Sequence, residues 1–491
     1  MSEKVASITQ DVQSTGSGKT EKQPLREDPS LEVSPLPEDW TEAEEKALVK
    51  KLDVRIIPMM AIVFALSLID RANISAAYIS GMNVDLDLTT GNRYTVTLLV
   101  FFPTYALFEF PSNLIIRRVG ARLWLGFLVM SFGAVVFGMG FVKNWRVLAV
   151  LRALLGAAEA GQLPGCVYLV ASWYRTFEMA SRISIFYMCS VLALGFGGLI
   201  AYGFQQISVG DGMLSQGWRW IYIIEGMITV LAGAACLFTV PQFAEKATWL
   251  TDRERYIAKE RLIRDRGEKE YKKVSAWESA KHLLDPKLLV LSYMYLATSS
   301  SAYSINFFFP IILTQGLGFK YTTSLILTST PYFCGIIAGV TLAWISDKYR
   351  TRYPIILVQT ACCIIGLFII NLVDAPGVRL VGIFITVLGV QNNAASLQAY
   401  AQTQIVHPEK RSMSAVALVF SGAIGGIIGS TIFRSQDAPD YLPGMWTSIV
   451  LNISLLPCIL GLTWHLKRKN RQLDEGKCGP LEGVEGFRYT P

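Results

Sequence analysis

Residues 56–78 read IIPMMAIVFALSLIDRANISAAY. A helix over this stretch rises about 1.5 Å per residue and so spans roughly 34 Å, enough to cross a hydrocarbon layer of ~30 Å. Its two ionisable side chains, Asp70 and Arg71, sit inside an otherwise apolar run. Charges in such a place are costly and mark function by default. The stretch reads as a membrane span that does something, and the rest of the chain follows from it.

Eleven further apolar stretches of similar length lie near 93–115, 121–142, 146–171, 181–205, 218–240, 288–313, 321–345, 353–373, 377–403, 411–433 and 444–466. The expected fold class is all-α: a polytopic membrane protein with twelve transmembrane helices in two pseudo-symmetric six-helix bundles. Composition agrees. Of 491 residues, 52% are apolar and 17% charged, against about 25% charged in soluble domains. Mean hydropathy is +0.38. Residues 1–50 are polar and lack an apolar core, which predicts a disordered cytosolic tail with a short helix near Thr41 to Leu52 and no cleaved signal peptide. Residues 51–240 form the first bundle, 241–287 a cytosolic linker with an amphipathic helix, 288–466 the second bundle, and 467–491 a cytosolic tail.

The net charge of +7 gathers at span ends, so a nucleic-acid partner is not expected and the lipid bilayer is. Arg117, Arg118 and Arg122 follow span two, Arg175 and Arg182 follow span four, and Lys348, Arg350 and Arg352 follow span eight. The intervening loops are poorer in basic residues and hold acids such as Asp85, Asp211 and Asp374. By the positive-inside rule both termini and the linker face the cytosol. Two echoes relate the halves. A basic turn follows the second span of each, with Asp347 heading the later one. The fifth span of each is rich in glycine: Gly195, Gly197 and Gly198, then Gly422, Gly425, Gly426 and Gly429. Repeats of this kind place a substrate site near the midplane between the halves.

Six ionisable residues lie within the first six spans: Asp70, Arg71, Glu109, Arg152, Glu159 and Glu225. The second half offers Tyr303, Asn306, Gln391, Asn392, Asn393 and Gln398 instead. The first half is expected to handle protons and charge, and the second to shape the pocket. Arg152, Gly156 and Glu159 share one helical face. Glu159 falls near the midplane, where it can exchange a proton as access alternates; the alternative is a static structural pair with Arg152. Asp70 and Arg71 point about 100° apart and cannot easily share a partner. Arg71 is assigned to an anionic substrate, because guanidinium grips carboxylates in a forked contact. Asp70 is a second proton site; alternatively the two cap the span's outer end. Glu109 and Glu225 are read as gate or packing residues. Tyr303, Asn306 and Asn393 are placed in the pocket by position. No phosphate-cradling loop, metal-ligand cluster or nucleophile–base pair appears, so neither ATP drive, a metal, a cofactor nor an enzyme is expected.

Several stretches resemble a known family. They are Asp70-Arg71-Ala72-Asn73-Ile74-Ser75, Glu109-Phe110-Pro111-Ser112-Asn113, Trp218-Arg219-Trp220-Ile221-Tyr222-Ile223-Ile224-Glu225-Gly226, Trp249-Leu250-Thr251-Asp252-Arg253-Glu254-Arg255 and Asp437-Ala438-Pro439-Asp440-Tyr441-Leu442-Pro443-Gly444. Together they are similar to the major facilitator superfamily, in its anion:cation symporter branch, near the fungal allantoate and nicotinic acid permeases. The resemblance implies proton coupling at Asp70 and Glu159, substrate binding at Arg71, a pocket role for Tyr105, and a coupling role for Arg152 in Arg152-Ala153-Leu154-Leu155-Gly156. It also implies loop gates at Arg117, Arg118 and Asp347, although Arg117 stands where the superfamily motif has Asp. Gly195-Phe196-Gly197-Gly198 lacks the proline of drug antiporters, which favours symport. The expectation is a monomeric plasma-membrane transporter that takes up a small organic anion, a monocarboxylate, ureide or vitamin of the nicotinate or allantoate type, with protons. The alternatives are an exporter of a secondary metabolite and a nutrient sensor that does not transport.

Overall fold

The computed structural model describes residues 40–241, 247, 249–266, 284–349, 351–405, 408–437, 441–477, 479, 481–483 and 487–490. Among them there is no strand. Twelve helices are long and apolar enough to cross a bilayer: Glu42–Asp85, Arg93–Ile116, Ala121–Met139, Trp145–Trp173, Ser181–Gln205 and Gly217–Thr239, then Pro286–Gly316, Tyr321–Ser346, Tyr353–Leu372, Pro376–Thr403, Met413–Thr431 and Leu442–Asp474. These are called spans 1 to 12. Span 1 packs on spans 5 and 6, span 2 on span 4, and span 3 on spans 4 and 6. The same pattern recurs as span 7 on 11 and 12, span 8 on 10, and span 9 on 10 and 12. Between the two bundles span 5 meets span 8, span 11 meets span 2, and span 1 meets span 7. Under the same relation the first two of these exchange and the third returns onto itself, as expected of a repeat about a pseudo-twofold axis.

Span 1 is longer than its apolar run. One helix runs from Glu42 through Pro58 to Ala77, where the sequence suggests a short tail helix and a separate span. Leu48, Leu52, Ile56 and Met60 recur every fourth residue and are all buried. That unbroken stripe holds the helix through Pro58, whose missing donor would otherwise favour a break. Thr41 closes the start with a capping box, accepting from the Glu44 amide while the Glu44 carboxylate accepts from its own. The part of the tail before residue 40 lies outside the described residues.

At the end of the molecule that carries Trp40, the linker helix and Thr490, the termini end, each bundle is braced separately. The linker helix Asp252–Arg266 docks on the first bundle. Arg261 is fully buried beneath it, donates to the Trp173 carbonyl at 2.6 Å, and lies 3.4 Å from Glu178 and 3.7 Å from Glu45. Lys51 meets Glu254 at 2.8 Å. The last residues of the chain dock on the second bundle instead. Tyr489 bonds Lys287 and Asn470, and the Thr490 carbonyl accepts from Gln404.

The bundles join at the opposite, far end. Gly198 of span 5 lies so near span 8 that a Cβ there would stand 2.4 Å from the Leu325 carbonyl, and one on Gly426 of span 11 would stand 2.0 Å from the Phe102 ring of span 2. Phe196 and Phe333 meet edge to face. Ser75 donates to the Asn306 carbonyl and Tyr94 to the Phe307 carbonyl. Here the buried apolar side chains of both bundles merge into one core. Towards the termini end, Leu291, Met294, Leu397, Tyr400, Leu462 and Leu466 form a separate cluster within the second bundle.

Candidate substrate and ion site between the bundles

Span 4 is a broken helix. Its first part ends at Glu159, and a new helix starts at Gln162 after Ala160 and Gly161. Close packing fixes the break. A Cβ on Gly156 would stand 2.2 Å from the Phe101 carbonyl, and one on Gly161 would stand 1.6 Å from the Ser112 hydroxyl. Glu159 therefore projects from the last turn before an interruption deep in the bundle. Interrupted spans of this kind are where transporters handle ions.

Arg71 of span 1 meets that carboxylate. Its Nε donates to Glu159 Oε2 at 2.5 Å, and the Ser67 hydroxyl donates to the same oxygen at 3.3 Å. Nη1 of Arg71 lies 3.4 Å from the Tyr303 hydroxyl of span 7, across the bundle interface. The guanidinium lies 4.8 Å from the Tyr105 ring centroid and 5.1 Å from that of Phe101. Guanidinium over aromatic faces gains cation–π attraction. Four residues that the sequence nominates, Arg71, Glu159, Tyr105 and Tyr303, thus form one constellation. Phe102 was not nominated; its ring packs edge-on against Tyr303 at 4.8 Å.

Asp70 faces another way, as its place beside Arg71 on a helix requires. It accepts from Thr229 of span 6 at 3.3 Å. Glu225 is buried one turn earlier on the same span. Asp70 Oδ1 and both Glu225 oxygens are buried without a hydrogen-bond partner. Arg152 is fully buried, with Nε 3.4 Å from the Thr97 carbonyl and its guanidinium 5.5 Å from the Phe101 ring centroid. Its Nη1 and Nη2 have no partner. The static Arg152–Glu159 pair is therefore not formed. Seven residues of helix separate the two by about 10 Å along the axis, and Glu159 turns to Arg71 instead.

The second bundle supplies uncharged groups. Asn306 Oδ1 accepts from the Tyr332 hydroxyl at 2.6 Å and from Gln391 at 2.8 Å. Asn393 does not join them. It is buried inside the second bundle and donates to Thr360 of span 9 at 3.0 Å. Its pocket assignment is corrected: Gln391, two positions earlier, takes the interface-facing place. Periodicity could not choose between them, because Gln391, Asn392 and Asn393 are consecutive polar residues that point to different sides of one helix.

Glu109 is buried with Oε1 unpartnered, on span 2 one turn beyond Tyr105. Arg118 is exposed. The side chains of Arg117 and Asp347 lie outside the described residues. Among the described residues no group of three His, Cys, Asp or Glu could hold a metal ion.

Two bundles of six helices with an ion pair near the centre of one of them define a secondary transporter fold. The Major Facilitator Superfamily model matches residues 60–430. The chain belongs to that superfamily and is a multi-pass membrane transporter, not an enzyme. It is 31% identical to the MFS-type transporter cnsO of Penicillium expansum over 88% of this chain and 85% of that one. It is 29% identical to the high-affinity nicotinic acid transporter of Saccharomyces cerevisiae, over 87% and 79%. In solved structures it resembles an inward-facing, unoccupied bacterial homologue of the human lysosomal transporter Spinster. There the TM-score is 0.65 at 14% identity, covering 86% of this chain and 97% of that one. The xylose transporter XylE of E. coli follows at TM-score 0.60 and 15% identity, over 82% and 96%.

Proposed function

We propose that this protein takes up a small organic monocarboxylate together with protons, by alternating access, as a monomer in the plasma membrane with both termini in the cytosol. The observation that carries the reading is the Arg71–Glu159 ion pair, with Tyr303 of the opposite bundle at its edge. Glu159 occupies the forked cation that a substrate carboxylate would need. A proton on Glu159 removes its charge and weakens its hold, so Arg71 becomes free for the substrate. Tyr105 and Tyr303 would flank the bound anion. On the side where the proton leaves, Glu159 is charged again, competes for Arg71 and expels the cargo. Proton and anion thereby move together without any direct bond between them. The relative that transports nicotinic acid supports a monocarboxylate. With both termini cytosolic, the contacts at the far end close the described conformation outwards.

The test is uptake of labelled nicotinate, allantoate and pantothenate into proteoliposomes under an imposed pH gradient, acid outside. Accumulation of one of them that collapses when the gradient is dissipated supports the reading. Uptake indifferent to the gradient, or outward pumping against it, would refute it.

A further inference from the structure

Two arginines and three carboxylates lie buried together in the first bundle. Asp70 accepts from Thr229 of span 6, Glu225 and Tyr222 lie buried one and two turns earlier on that span, and Arg152 and Glu159 are buried on span 4. Its own helix adds Arg71 on a neighbouring face and Asn73 one turn on, whose amide nitrogen is buried without a partner. Arginine stays protonated in proteins. With every carboxylate ionised, Arg71 and Arg152 supply two positive charges against three negative ones from Asp70, Glu159 and Glu225. An uncompensated charge in a buried site is too costly to keep, and such groups neutralise instead. Glu159 already has its counter-charge in Arg71 at 2.5 Å. The surplus falls on Asp70 and Glu225, three of whose buried oxygens have no hydrogen-bond partner.

We propose that Asp70 and Glu225 hold a single proton between them, a proton site on the contact of spans 1 and 6 that is distinct from the Arg71–Glu159 pair. Two buried carboxyls near one another share one proton for the same reason as in other carboxyl dyads: both cannot ionise together. The proton satisfies one unpartnered oxygen as a donor and leaves the bundle interior neutral. Glu225 becomes a proton-holding residue in its own right, which makes Asp70 dependent on it. The inference deepens the proton-coupled reading and rests on it only for the use to which the proton is put.

The test reads the proton directly and needs no cargo. The purified protein carrying Glu109→Gln, which removes the other unpaired carboxyl buried in a span among the described residues, is examined by infrared spectroscopy at neutral pH for the C=O stretch of a protonated carboxyl. The band is expected in this background. It should be lost on adding either Asp70→Asn or Glu225→Gln, because removing one carboxylate balances the charges and the other then ionises. A band that survives Glu225→Gln, or its absence from the background protein, would overturn the shared proton. Abolition of the band by sodium would also overturn it, by showing a cation site instead. Both variants are near-isosteric, and if either fails to yield folded protein the other decides; if both fail, presence of the band and its indifference to sodium in the background protein decide. Gradient-indifferent uptake by a protein that keeps the band would refute the coupled transport and leave the carboxyl pair standing.

Discussion

Arg71 and Glu159 stand 88 positions apart in the chain and meet at 2.5 Å, each held by a different helix of the first bundle. The contact spends the guanidinium on an internal carboxylate. Removing the arginine should therefore abolish binding of the transported anion. Lysine keeps the charge but loses the planar fork, so Arg71→Lys should weaken binding about 10- to 100-fold, as expected for losing one charge-assisted hydrogen bond. Equilibrium binding of the transported acid to both variants measures this.

Glu159→Gln removes the group that must lose its charge before Arg71 is released. Acidifying the outside should speed wild-type uptake, since protonated Glu159 no longer competes for Arg71, and should leave the variant's rate flat. Exchange of labelled for unlabelled cargo should persist in the variant, because it needs no net proton movement. Counterflow and gradient-driven uptake, run on the same proteoliposomes, separate the two.

Tyr303 and Asn393 should respond differently. Tyr303→Phe keeps the ring contacts with Phe102 and Phe307 but removes the hydroxyl facing Arg71, so affinity should fall by about 1 kcal/mol, roughly fivefold. Asn393→Ala breaks a bond to Thr360 inside the second bundle, so the thermal midpoint should fall with affinity unchanged. The opposite pattern would return Asn393 to the pocket.

Gly198 sets how closely the bundles approach at the far end. Gly198→Ala pushes a methyl group against the Leu325 carbonyl, which is backbone and cannot swing aside. The closed far end should open more often. With Ser75→Cys as a reporter, labelling by a membrane-impermeant thiol reagent applied from the far side should accelerate.

Arg261 balances Glu45 and Glu178 beneath the linker helix. Arg261→Ala removes a buried counter-charge from both acids, which keep Arg175 beside them, and orphans the Trp173 carbonyl. Loss of one partner from a buried ionic cluster costs about 3–5 kcal/mol, and here less, because both acids are partly exposed and can rehydrate. The thermal midpoint of the purified protein should drop, and the linker should become susceptible to protease.

Most of the architecture was legible because a span announces itself locally, as about 20 apolar residues with charges at its ends. The divergent faces of Asp70 and Arg71 were legible too, since neighbours on a helix point about 100° apart; they bind spans 6 and 4 respectively. Partners were harder. Arg152 and Glu159 share a face, yet Glu159 pairs with a residue from another helix, and no periodicity states which helices touch. Glu225 reads as packing until Thr229, one turn on, is seen against Asp70. The start of span 1 was hidden because Pro58 suggests a break that the buried stripe on either side overrides.

The buried ionised side chains around Arg71 belong to spans 1–6, while spans 7–12 contribute Tyr303, Asn306, Tyr332 and Gln391 to the same interface. On the proposed reading, the proton and the grip on the carboxylate belong to the first half of the chain, and the rest of the cargo is read by uncharged groups of the second. A chimaera joining this first bundle to the second bundle of a relative with a different diet should keep its thirst for acid and adopt the relative's menu. Relatives could then diversify by editing hydroxyls and amides, without disturbing the ionic arrangement that drives them.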